Sequence, residues 1–97
     1  EDGVLIDITE NAKGMFKVPV AITKTAFLRV GKFAEMKEGE EKRIKILILM
    51  VLLYFVKKRG QTGELVNFEV KHIKLKALTH PGDHGEQVIT IMLPDED

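Results

Sequence analysis

Apolar and polar positions change period along this chain, from alternation near both ends to an unbroken apolar run in the middle. Val4, Ile6 and Ile8 share one side with Asp7 on the other, which predicts a short strand entered through Gly3. Thr9 stands where a helix N-cap would, and Glu10 to Lys13 is long enough for one turn before Gly14 ends it. Phe16 to Val20 reads as an extended connector or sheet edge, because Pro19 disfavours helix at Val18 and donates no ladder hydrogen bond. After a second capping candidate, Thr23, the residues Ala26, Phe27, Val30, Phe33 and Ala34 recur at helical spacing, and Gly31 weakens that helix by about 1 kcal/mol.

The run from Ile46 to Val56 carries no charge. As helix it would span about 17 Å, well short of the roughly 30 Å of a bilayer's hydrocarbon core, so a membrane span is not expected. Its Leu and Met content, with Glu38, Glu40 and Glu41 before it and Lys57, Lys58, Arg59 and Gly60 after it, predicts a helix from about Glu38 to Arg59. Glu38 with Lys42, and Glu41 with Lys45, stand at the supportive i, i+4 spacing. A helix apolar all round needs cover all round. Part of that cover is expected from a second copy of the chain, across a homodimer face of Leu49, Leu53, Tyr54 and Phe55.

Beyond a turn at Gln61-Thr62-Gly63, Val66, Phe68 and Val70 alternate with polar neighbours. Ile73, Leu75 and Ala77 continue in the opposite phase, and the slip predicts a bulge or tight turn at Lys71-His72. The last quarter reads as a β-hairpin: a strand from Lys74, a turn at His80-Pro81-Gly82-Asp83, and a strand over Val88 to Leu93 stopped by Pro94. The whole is one α+β domain, residues 1–97, with an antiparallel sheet packed on the long apolar helix and the shorter amphipathic one.

Composition narrows the functional classes. Fifteen basic and fifteen acidic residues cancel in a chain of 97, so no net field attracts nucleic acid or an anionic membrane. A hydrophobic share of 44% is that of a folded protein. Without cysteine there is no disulfide, thiolate nucleophile or Cys-ligated zinc. The abundance of Lys and Glu over Asn and Gln leans toward a thermophilic source. The chain opens on Glu1 instead of Met, which reads as a trimmed or processed start, and no secretory signal is visible ahead of Val4.

The opening Asp2-Gly3-Val4-Leu5-Ile6-Asp7-Ile8-Thr9-Glu10-Asn11-Ala12, the middle Pro19-Val20-Ala21-Ile22-Thr23-Lys24 and the closing Gly82 to Asp97 stretch carry a family resemblance. They resemble a family of small bacterial proteins of unknown function found on plasmids, phages and other mobile elements. The resemblance covers both ends and reaches the centre only as a pattern. It implies an accessory protein of a mobile element and assigns no catalytic residue; no cofactor or metal is expected, and the lack of cysteine fits a cytoplasmic protein.

Three groups of side chains carry candidate chemistry. His80, Asp83 and His84, with His72, have metal-ligand character and could serve a small metal-dependent hydrolase. Pro81-Gly82 makes that stretch a turn, where the rings need not converge, and the sequence holds no serine and shows no partner group or oxyanion donor for such chemistry. Lys71, Lys74 and Lys76 form a basic strand that could follow a phosphate backbone, though the solvent side of a half-buried strand looks the same. The acidic tail Asp95-Glu96-Asp97 reads as a solvated end. The leading expectation is a non-enzymatic protein acting through contact with an unidentified protein partner, and the alternatives are a nucleic-acid-associated factor and the hydrolase.

Overall fold

The computed structural model describes residues 4–33, 37, 39–59 and 65–96. In chain order the elements are β1 (Leu5–Asp7), β2 (Val20–Thr23), α1 (Lys24–Phe33), α2 (Glu41–Arg59), β3 (Leu65–Val70), β4 (Ile73–Pro81) and β5 (Gln87–Met92). The five strands form one sheet in the order β1-β2-β5-β4-β3. This is the expected α+β domain with a C-terminal hairpin. The sheet is mixed where an antiparallel one was expected, because β2 runs parallel to β5, with Val20 opposite Ile89 and Ile22 opposite Ile91.

Cross-strand partners share a face, so the register sorts the side chains into two sets. One face carries Val66, Phe68, Leu75, Ala77, Ile91, Ile22 and Val20, and it joins Ala26, Phe27 and Val30 of α1 and Ile44, Ile48, Leu49 and Leu52 of α2 in a single core. The other carries Leu65, Asn67, Glu69, Lys74, Lys76, Leu78, His80, Thr90, Met92, Ala21 and Asp7. Leu65, Asn67, Glu69, Lys74 and Asp7 on that second face are exposed.

Local chemistry explains where elements begin and end. The Thr23 hydroxyl accepts from the Ala26 amide at 3.2 Å, which makes it the cap of α1, and donates to Glu96 at 2.8 Å. Glu96 also accepts from the Leu93 amide at 2.7 Å, so this residue of the tail is tied down instead of solvated. Near the start of α2 the ion pair joins Glu40 to Arg43 at 3.8 Å. Lys45, expected to pair with Glu41, instead holds its ammonium 5.9 Å from the centre of the Phe27 ring. The remaining expectations at Ala34, Glu38, Gly60 and Gln61-Thr62-Gly63 fall outside the described residues.

The predicted tight turn at Lys71-His72 is present, and both residues have positive φ, 52° and 69°, as a two-residue turn of the I′ kind requires. The second turn lies two residues later than expected. His80 and Pro81 still pair, with Val88 and Gln87, and the connection is Gly82 to Glu86, closed by the Gly82 amide donating to the Glu86 carbonyl. Pro81 is the last residue of β4.

Thr9 is not a helix cap. Residues 9–15 form successive turns, with Gly14 at a φ of 88° within them. The Thr9 hydroxyl accepts from the Val20 amide at 3.1 Å and donates to Asp7 at 2.6 Å, while the Thr9 amide donates to the same carboxylate oxygen at 2.9 Å. Those two donors, the hydroxyl first, hold the Asp7 carboxyl below its ordinary value of 3.8. A carboxyl depressed in the folded state adds stability above its unfolded pKa and loses it as pH falls through the folded one. Asp7→Asn, which keeps the acceptor and drops the charge, is therefore expected to flatten the decline of urea-measured stability between about pH 5 and pH 2. Identical pH slopes for the two proteins would refute it.

Candidate interaction surface

The helical layer holds most of the positive charge of a neutral chain. Nine of the fifteen basic residues and one of the fifteen acidic residues lie on α1 and α2, giving them a formal +8 against −8 for everything else. Lys24, Arg29 and Lys32 of α1 are exposed and, with Val4, Thr25 and Leu28, rim a shallow depression.

On α2 the basic residues flank an apolar centre. Lys42 and Arg43 are exposed at one end and Lys57 and Lys58 at the other, fifteen residues or about 22 Å apart. Between them Met50 is 57% exposed and Tyr54 58%, and Ile46 and Leu53 are half-buried but lie outside the core cluster. Their spacing of four, three and one residues gathers them into a stripe pointing away from the sheet. The Lys58 ammonium rests 5.8 Å from the Tyr54 ring centre, and the ring edge meets Phe55.

The expected dimer face therefore divides. Leu49 is fully buried within the chain, and Phe55 is half-buried with its ring 6.4 Å from that of Phe68 on β3. Leu53 and Tyr54 remain for contact with another molecule. Periodicity alone could not separate these four, because every position of the central run is apolar and no polar residue marks the outward side.

The histidine cluster does not assemble. His72 and His80 stand at opposite ends of β4, eight residues or roughly 26 Å apart. Nδ1 of His80 lies 3.2 Å from the Pro81 carbonyl, which can only accept, so that nitrogen carries a proton. Nε2 then meets the Thr90 hydroxyl at 2.8 Å. Both ring nitrogens are thereby engaged, and His84 is exposed. Among the described residues no three His, Asp or Glu side chains are placed to hold a metal ion. Of the basic strand, Lys74 and Lys76 share the second face of the sheet, Lys74 opposite Glu69 and Lys76 half-buried between Asn67 and Met92, while Lys71 sits in the exposed turn.

Among the described residues no helix is long and apolar enough to cross a membrane. None of the family models, curated proteins or solved structures with which the chain was compared matches it.

Proposed function

We propose that this is a non-enzymatic interaction protein of the bacterial cytoplasm, accessory to a mobile element, whose working surface is the outward face of the helical layer. Its partner is an acidic protein segment with an apolar centre. The observation that carries the reading is the α2 stripe, Met50 and Tyr54 exposed between Lys42-Arg43 and Lys57-Lys58. A nucleic-acid backbone presents a phosphate every few ångströms and would meet bare aliphatic surface along most of this length. An amphipathic helix with carboxylates near its ends and leucines between them meets both features.

A second copy of the chain is a poorer occupant of the stripe. Antiparallel packing of two α2 helices about Met50 would lay Lys57 and Lys58 against Lys42 and Arg43 of the other copy, and like charges oppose it.

The test is fluorescence anisotropy with two labelled probes, a designed peptide helix of that acidic pattern and a duplex oligonucleotide. The peptide is expected to bind and to weaken with added salt. Met50→Glu with Tyr54→Glu should reduce its affinity roughly thirtyfold or more while leaving the melting temperature unchanged. Tighter binding of the oligonucleotide, lost on replacing Lys71, Lys74 and Lys76, would replace this reading with the nucleic-acid one.

A further inference from the structure

The sheet ends on one side in β1, three residues long, and on the other in β3, six residues long. Edges of the second kind are usually blunted by lysine, proline or a bulge, because unpaired amides and carbonyls recruit another strand. β3 has none of these: its sequence is Leu65-Val66-Asn67-Phe68-Glu69-Val70, in unbroken register with β4.

Which backbone groups are free follows from the hairpin. Val70 and Ile73 flank the two-residue turn and are therefore a hydrogen-bonded pair, so Phe68 with Leu75 and Val66 with Ala77 are too. The amides and carbonyls of Leu65, Asn67 and Glu69 consequently point outward. The same alternation, carried across the sheet, aims the Ile89 amide at β2, where it donates to the Pro19 carbonyl at 3.0 Å.

We infer that β3 pairs with β3 of a second copy, antiparallel about a two-fold axis at Asn67, joining two five-stranded sheets into one. For both cores to lie on the same side, opposed residues must have the same parity. Of the registers that satisfy this, only Asn67 against Asn67 engages all three outward residues of each strand, with Leu65 opposite Glu69 twice. That register also keeps the two Glu69 carboxylates away from one another, whereas centring the pair on Glu69 would set them face to face. The two-fold leaves the outward stripe of α2 clear, since that stripe points away from the sheet. The dimer expected from the excess of apolar surface is thus assigned to the edge strand instead of the long helix, independently of the acidic partner.

Sedimentation equilibrium of the full chain tests it, with the mass expected at twice 11.0 kDa. Asn67→Asp places two carboxylates across the axis and should raise the dissociation constant roughly a hundredfold at pH 7, with association restored near pH 3 where both are protonated. Asn67→Pro removes an outward donor, leaves the bonds of Val66, Phe68 and Val70 to β4 in place, and should give a monomer with an unchanged far-ultraviolet circular dichroism spectrum. A wild-type monomer at all concentrations, or a dimer as tight in Asn67→Asp as in the wild type, overturns the inference. Loss of the dimer in Met50→Glu alone would also overturn it and move the contact to α2, whereas peptide binding by monomeric Asn67→Asp leaves the helical reading standing by itself.

Discussion

Leu49→Ala is expected to lower the unfolding free energy by about 3 kcal/mol and the melting temperature by roughly 15 °C. Leu49 is fully buried beside Ile48 and Leu52 where α2 meets the rest of the core. Truncation removes its transfer energy and leaves a cavity that the rigid sheet beneath cannot close. Against a total of about 5–15 kcal/mol for a domain of this size, the loss is severe. Tyr54→Ala on the same helix should change monomer stability by no more than about 0.5 kcal/mol, because the residue is 58% exposed. Guanidinium titration of both variants checks the pair, and equal losses would mean that α2 is rotated from the orientation described.

Phe68→Ala is expected to cost about 3–5 kcal/mol. Phe68 is 4% exposed, faces Phe55 of α2 with ring centres 6.4 Å apart, and lies on the edge strand. It therefore seals the long helix to the border of the sheet, where there is no further strand to share the load. Differential scanning calorimetry should show a reduced unfolding enthalpy as well as a lower midpoint. A loss below about 1 kcal/mol would mean that α2 leans on the inner strands and that β3 is held by β4 alone.

These two residues also mark how far reading the chain could go. Phe68 was legible: strict alternation through Val66, Phe68 and Val70 fixes its face without reference to anything distant. Leu49 was not, because a run apolar at every position has no phase, and only packing against Phe27, Val30 and the sheet selects Ile44, Ile48, Leu49 and Leu52 as the inward side. The same division holds for the threonines. Thr23 caps a helix as its position suggests, whereas Thr9 looks identical in sequence and is captured by Asp7 and the Val20 backbone. For the candidate site, the basic strand and the histidine group were visible as clusters in sequence. Lys74 and Lys76 do share the second face of the sheet, with Glu69 opposite Lys74, whereas Lys71 lies in the turn, and His80 lies at the far end of β4 from His72. The basic residues of the two helices were visible in the residue list throughout, but which of them are exposed, Lys24, Arg29 and Lys32 on α1 and Lys42, Arg43, Lys57 and Lys58 on α2, was decided only when both helices packed on one face.

Sequence alone determined the features set by neighbours a few residues apart: the existence of the long helix, which starts at Glu41 where about Glu38 was expected, the cap at Thr23, the reversal of phase at Lys71-His72 and the closing hairpin. Tertiary structure decided the rest, namely the parallel union of β2 with β5, the side that α2 turns outward, and the edge that β3 leaves unpaired. Periodicity and capping act through local sterics and hydrogen bonds that the residues themselves specify. The order of strands and the rotation of a uniformly apolar helix depend on which distant surfaces pack best together, and no local pattern encodes that choice.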